Sequence, residues 1–383
     1  MESVYLDKKK GKSVPDEKES DAYLTEQIIT YLGNKRALID FIGNAVKIVQ
    51  EELGKTELTT LDMFSGSGIV ARYFKTFAKK VYANDLEGYS KRINSCYLMN
   101  KSEFDCDMLY EYYHEIIDRI ETRGLRAGFI TQMYSPKNDK KIKEGERVFY
   151  TSRNARYIDT VRRILKEIPE PYRTLLMGPL LYEASVKTNT AGVFKGFYKN
   201  SETKIGQFGG NGKHALNRIL SDIEIQLPVL CERECEYEVF QEDANKLATK
   251  LPDVDLAYLD PPYNQHPYSS NYFMLNLIND YKKPKETSQV SGIPTDWNKS
   301  AYNKKITALT QMKNLCENLK AKYILISFNS EGFIPFEEMY AMLSEMGEVR
   351  FFEKEYNTFR GCRNLNERNI HVKEYLYLLR KEK

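Results

Sequence analysis

Residues 257–265 read AYLDPPYNQ. The run begins as a buried β-strand and carries Asp260 to its end, where Pro261 and Pro262 break the pattern. Two consecutive prolines fix φ and remove N–H donors, so the carbonyls of Asp260 and Pro261 are held in a rigid outward turn. Tyr263 sets a flat aromatic face beside them. Oxygen acceptors that converge next to an aromatic platform suit a planar group bearing an amino function. A proline-stiffened turn with a capping Asp is the plainer alternative.

Outward from this corner, strand and helix patterns alternate. Upstream, LTTLDMF reads as a short strand ending at the glycine turn of residues 65–68, with helical spacing after it through Ile69, Val70, Tyr73, Phe74 and Phe77. KKVYAND makes a second strand with Asp85 just past its end, and the segment through Ile93 and Leu98 is helical. Before both, Leu38, Phe41, Ile42, Ala45, Val46 and Val49 place a helix after the Gly33-Asn34-Lys35 turn. Downstream of residue 235, YEVFQED, VDLAYLD, KYILISFNS, VRFFEKEY and EYLYLL read as further strands, several with helices between them. This alternation predicts an α/β fold, a mostly parallel sheet with helices on both faces.

The chain has 383 residues, more than one ordinary core needs, and two units are expected. From about 101 to 235 the strand signals fade and helical patterns dominate, including MLYEYYHEIIDRIETRGL and YRTLLMGPLLYEASV. Residues 1–24 read as a solvated tail. With 42% hydrophobic and 29% charged residues the chain has material for packed cores, and a formal charge of +3 leaves any nucleic acid to local basic patches. No stretch has the apolar length of a membrane span, and the first residues lack the apolar core of a signal peptide. The six cysteines are scattered, which favours free thiols in a reducing compartment; the nearest pair, Cys231 and Cys235, lacks the further ligands a zinc site needs.

In open α/β sheets ligands bind beyond the carboxyl ends of the strands. Four signals fall there: Gly66 with Gly68, Asp85, Asp243 and Asp260. Glycines let backbone approach a ligand closely, and Asp85, 17 positions after Gly68, stands near the spacing at which an acid grips a ribose hydroxyl. The full GxGxxG fingerprint is absent, so a smaller nucleoside is expected rather than a dinucleotide. A tight turn and helix N-caps are the simpler readings of the glycines and of Asp85 and Asp243.

At this point the sequence resembles the amino-methylating DNA methyltransferases, specifically the N6-adenine group with Dam-like motif order. YLGNK, DMFSGSG, YANDLE, FQEDANKL and LDPPYN occur in the family's order, with a helical and basic segment between the third and fourth. ILISFNSEG and FRGCRNLNERNIHVKEYLYLL resemble its later pieces. The resemblance implies a Rossmann-like seven-stranded sheet, with residues 25–100 and 236–383 forming the catalytic domain and 101–235 an inserted target-recognition domain. It implies S-adenosylmethionine across the strand ends, beside Phe64, Gly66 and Gly68. Asp85 would take the ribose hydroxyls, Asp243 the cofactor's adenine amino group, and Tyr31 with Lys35 the methionine end. Asp260, Pro261, Pro262 and Tyr263 would receive a flipped adenine from double-stranded DNA, with no metal required.

Gripping DNA calls for a basic surface. Residues 186–218 hold six Lys or Arg against one acid, with Phe194, Phe197, Tyr198 and Phe208 interleaved. Lys195, Tyr198, Lys199 and Lys204 are the candidate contacts there, and Arg360 and Arg363 a candidate phosphate clamp. A solvated loop is the bland alternative. The resemblance further implies a cytoplasmic enzyme of a prokaryote or phage, in a restriction-modification system with a cognate restriction endonuclease as partner. The same core serves cytosine N4 or RNA adenine methylation, and a DNA-binding regulator without catalysis is a rival of another class. Pro252-Asp253 with Asp280-Tyr281-Lys282 formally fits a nuclease pattern, but the second set reads as a helix end and not a strand where metal-binding acids would converge.

Overall fold

The computed structural model describes residues 21–210, 212–213, 215–357 and 371–382. Seven strands, β1 (Thr59–Asp62), β2 (Lys80–Asn84), β3 (Glu236–Phe240), β4 (Val254–Leu259), β5 (Ala321–Asn329), β6 (Gly347–Asn357) and β7 (His371–Lys381), form one sheet in the order β3-β2-β1-β4-β5-β7-β6. The first five in that order run parallel; β7 inserts antiparallel between β5 and β6. The α/β expectation and its mostly parallel sheet hold.

Among the described residues, fourteen α-helices accompany the sheet: α1 (Asp21–Thr25), α2 (Ile39–Leu53), α3 (Ile69–Lys75), α4 (Gly88–Tyr97), α5 (Cys106–Arg123), α6 (Phe129–Tyr134), α7 (Ser152–Leu165), α8 (Tyr172–Val186), α9 (Leu216–Leu220), α10 (Ala244–Ala248), α11 (Tyr268–Asn271), α12 (Phe273–Asp280), α13 (Lys305–Asn318) and α14 (Phe336–Ser344). β4 shows why its sequence is apolar throughout: successive side chains alternate faces, and both faces are covered. Leu256 and Tyr258 join a core with α2 and α3, while Ala257 and Leu259 join another with α10, α13 and α14. A third core draws on α4, α5, α7, α8 and α12, so the helical insert packs directly onto elements that flank the sheet.

Because β2 and β3 lie on one side of β1 and β4 on the other, the strand order reverses between β1 and β4. Their carboxyl ends open a crevice at that switch point, where ligands of such sheets bind.

One boundary differs from the sequence reading. Residues 21–24 are not the end of a solvated tail: they lie in α1, and Tyr23 is fully buried. The buried Arg72 guanidinium donates to the carbonyls of Tyr23 (3.0 Å), Glu26 (3.0 Å) and Gln27 (2.9 Å). A five-residue helix is too short to show periodicity, and tertiary hydrogen bonds hold it.

Candidate active site

Asp260 stands immediately after β4, and its surroundings are ionic. Lys35, buried, places Nζ 3.1 Å from Asp260 Oδ1 and 3.1 Å from Glu374 Oε1. Glu374 lies on β7 opposite Asn329 of β5, is 1% exposed, and accepts a hydrogen bond from the Ser327 hydroxyl. Burial pushes the Asp260 carboxyl up to about 6; Lys35 pulls against that shift, and Glu374 adds to it. The corner itself is braced from outside: the Tyr263 carbonyl accepts from the Phe333 amide at 2.9 Å, and the Asn264 carbonyl from the Asn303 side chain at 2.7 Å. The Tyr263 ring meets Phe328 edge-on at 6.3 Å.

Two concavities meet at this corner. The first, about 690 Å³ including space open to solvent, has walls that include Tyr31, Phe64, Asp85, Asp243, Asp260, Pro262 and Tyr302. Its size suits a nucleoside-sized ligand. A recess continues from it past Tyr31, Phe64 and Asp260 to Lys35, Asp62 and Gly66. The second, about 610 Å³, is bounded by Leu32, Val193, Lys195, Tyr263, Asn264, His266, Tyr268 and Asn271. Asp260 and Pro262 face the first and Tyr263 the second, while Tyr268 borders both.

The glycine turn is required where it stands. Gly66 has φ +47°, and a Cβ there would fall 2.8 Å from the Tyr31 ring. Tyr31 stacks in turn on Tyr268 (5.0 Å) and Tyr272 (4.6 Å). Asp85 accepts from the Gly66 amide at 2.8 Å and the Glu87 amide at 2.9 Å, so it fixes the turn and does not cap a helix. Burial, then the nearby Glu87, pushes its carboxyl up to about 7. Asp243 does cap: its Oδ1 accepts from the Lys246 amide at 3.1 Å at the start of α10, while the residue also faces the first cavity.

The residues 31–342 match the model of the D12 class N6 adenine-specific DNA methyltransferases, and this covers most of the chain. The chain belongs to this family. Among curated relatives, it is 29% identical to the type II methyltransferase M.NlaIII of Neisseria lactamica, over 92% of this chain and 99% of that one. It is 28% identical to the type II methyltransferase M.CviAII of Paramecium bursaria Chlorella virus 1, over 92% and 98%. The type II methyltransferase M.FokI of Planomicrobium okeanokoites is 26% identical over 92% of this chain, which spans 52% of that larger protein. The protein is thus a DNA (adenine-N6)-methyltransferase, similar to enzymes of restriction-modification systems, and its family implies S-adenosylmethionine as methyl donor.

The methyltransferase shows several site residues that the sequence did not mark. Asp62, at the end of β1, is 1% exposed; the backbone amides of Phe64 and Ala71 act on its carboxylate, and no side chain among the described residues hydrogen-bonds to it. Burial raises its carboxyl well above the ordinary range, with Asp260 and Asp85 adding to the effect. Glu87, buried, accepts from Ser269 and from Asn276 (2.5 Å), tying the loop after β2 to α11 and α12. Tyr302 meets Phe64 edge-on at 5.3 Å and, with Ser300 and Asn303, walls the first cavity. The acid after a short strand and the acid in YANDLE were available signals; nothing in the irregular run before α13 pointed to Tyr302.

On the candidate DNA face, Lys199 and Lys204 are exposed, and Lys199 pairs with Gly206 in an antiparallel bridge. Lys195 Nζ lies 3.2 Å from His266 Nδ1 at the rim of the second cavity. Tyr198 is half-buried, its ring 3.4 Å from where a Gly210 side chain would begin. Other members of the basic and aromatic stretch turn inward. Phe194 is 1% exposed among Phe149, Tyr272 and Phe273, Lys187 bonds Ser221 at 2.9 Å, and Arg218 donates to the Thr188 carbonyl at 3.1 Å. Their burial follows from packing the stretch onto the helical core, which a count of charges along the chain does not register. Arg360 and Arg363 lie outside the described residues. Among the described residues no group of three or more His, Cys, Asp or Glu could hold a metal ion, and no helix is long and apolar enough to cross a membrane.

Proposed function

We propose that the methyltransferase binds S-adenosylmethionine in the first cavity and its recess, and receives a flipped adenine of duplex DNA in the second. The observation that carries this is the corner itself: Asp260 and Pro262 face one concavity and Tyr263 the other. A ligand in each would meet there, with Tyr268 lining both.

The residues present fit the cofactor. Asp62 offers a buried carboxylate with no side-chain partner among the described residues in the recess, a suitable partner for the ammonium of an amino-acid end. Asp85 would accept from ribose hydroxyls, Asp243 from an adenine amino group, and Tyr31, Phe64, Gly66 and Gly68 would shape the walls. When bound, S-adenosylmethionine supplies an activated methyl whose transfer leaves the bond's electron pair on sulfur. The protein's work is on the nitrogen. Adenine N6 is a weak nucleophile because its lone pair is spread into the ring; Asp260 and the Pro261 carbonyl would accept its two hydrogens and so return the pair to nitrogen. Tyr263 would stack on the extruded base, whose unpairing costs a few kcal/mol.

Residues 101–235 would serve as the target-recognition domain beside a catalytic domain of 25–100 and 236–383. Lys195, Tyr198, Lys199, Lys204, Arg360 and Arg363 would meet the phosphates, and a cognate restriction endonuclease would share the recognised site. Neither step calls for a metal. Incubation with tritiated S-adenosylmethionine and duplex DNA, with and without EDTA, tests the reading. Label is expected in N6-methyladenine in both. Label in N4-methylcytosine, or binding of DNA without any transfer, would overturn it.

A further inference from the structure

Glu374 has no role in the reading above, yet its placement is costly. It is a carboxylate on the interior strand β7, 1% exposed, where an apolar side chain would pack without desolvation. Ser327 holds its Oε1, which also lies 3.1 Å from Lys35 Nζ, while Oε2 is buried with no hydrogen-bond partner among the described residues. The same Nζ lies 3.1 Å from Asp260 Oδ1. One ammonium is therefore shared by two acids, only one of which faces the cavities.

We propose that Glu374 is a positioning residue for methyl transfer: by holding one side of Lys35, it keeps that ammonium against Asp260 without letting it neutralise the Asp260 carboxylate. This rests on Asp260 being the acceptor for N6. As the nitrogen forms its bond to the methyl it must shed a proton, and Asp260 is the anion placed to take it. A carboxylate paired alone with Lys35 would be a poorer proton acceptor, and one with no Lys35 would be protonated before the reaction began. Dividing Lys35 between two acids sets an intermediate basicity. Lys35 then serves the corner, where the resemblance assigned it to the methionine end.

Other titratable groups face this cluster and do not reverse the argument. Tyr258, Tyr263 and Tyr268 feel Asp260, and burial raises all three, so they stay neutral through the working range. Glu374 faces Tyr258 and Tyr263 besides Lys35. Asp62 also feels Asp260 and is raised by burial, but both variants leave it in place, so its effect is common to every arm of the test.

The test is the pH profile of single-turnover methylation of duplex DNA, with KM values for both substrates. Glu374→Gln keeps the shape and removes the charge; the acid limb should move down by about one pH unit and the plateau rate fall roughly tenfold, with KM within about twofold. Lys35→Gln leaves two acids without their cation, and the limb should move up by about one unit. Opposite movements are not what simple loosening of the fold would give. The Lys35→Gln arm stands even where Glu374→Gln fails to fold, as a melting curve would show. An unmoved or rising limb in Glu374→Gln, or a raised KM for S-adenosylmethionine with an unmoved limb in Lys35→Gln, overturns the inference. Asp260→Ala separates the two levels: if it stays active, the acceptor reading itself fails; if it is inactive while the limbs do not move as stated, only the role of Glu374 falls.

Discussion

At the level of single residues the methyltransferase sets two carboxylates to titrate where activity can report them. Asp260 is raised to about 6 mainly by burial. The acceptor role proposed for it needs the ionised form, so the transfer rate should fall as pH drops through 6, approaching tenfold per unit below it. Asp260→Ala should remove transfer by at least about a thousandfold while S-adenosylmethionine affinity stays within a few-fold, since a binding role would weaken both. Equilibrium dialysis beside the label assay checks this. Asp85 is raised to about 7. Ribose hydroxyls donate more strongly to a carboxylate than to its protonated form, so if Asp85 holds the ribose the dissociation constant for S-adenosylmethionine should fall as pH rises through 7. Asp85→Asn should bind more weakly, with no change across that window; an unaltered constant would remove Asp85 from the ribose.

Elements carry the next constraint, because the walls of the crevice come from separate segments tied together by side chain-to-backbone hydrogen bonds. Arg72 of α3 anchors the 23–27 segment through three carbonyls and stacks 3.5 Å from the Tyr97 ring. Tyr31, Gly33 and Lys35 follow this segment directly. Arg72→Ala leaves two buried carbonyls and one part-buried one short of a donor and should cost about 3 kcal/mol in urea unfolding. A loss under about 1 kcal/mol would mean that water replaces the guanidinium.

What the sequence disclosed follows the same division. β1, β2, β4 and the glycine turn were legible because doubly covered strands are continuous apolar runs and the ligand-facing residues fall at their ends. The place of β7 between β5 and β6 was not, since pairing order depends on contacts far apart in the chain. Tyr302 and Asn303 lie in a run without periodicity, and Glu374 looks in sequence like one polar residue of an ordinary alternating strand. Tyr23 was misread as tail because only its burial, not any local pattern, marks it. The inward turn of Phe194 and Arg218 was equally invisible to a count of charges and rings.

For the whole molecule, the arrangement makes DNA binding and cofactor binding separable. The first cavity and its recess hold the cofactor candidates, while Lys199 and Lys204 stand exposed on a bridged loop. If these lysines meet phosphates, each neutralised phosphate releases counterions, and the slope of log affinity against log salt should shrink by about 0.9 per lysine in Lys199→Ala with Lys204→Ala. The loss should be similar for DNA with and without the recognised site, because phosphate contacts carry no sequence information. S-adenosylmethionine affinity measured without DNA should not change, since neither lysine borders the first cavity. Lys204 donates to the Ser201 carbonyl at 2.5 Å within its own loop, which a DNA phosphate would have to displace. Fluorescence anisotropy across a salt series decides it: an unaltered slope would mark both lysines as ordinary solvated surface and move the electrostatic footprint to other basic residues.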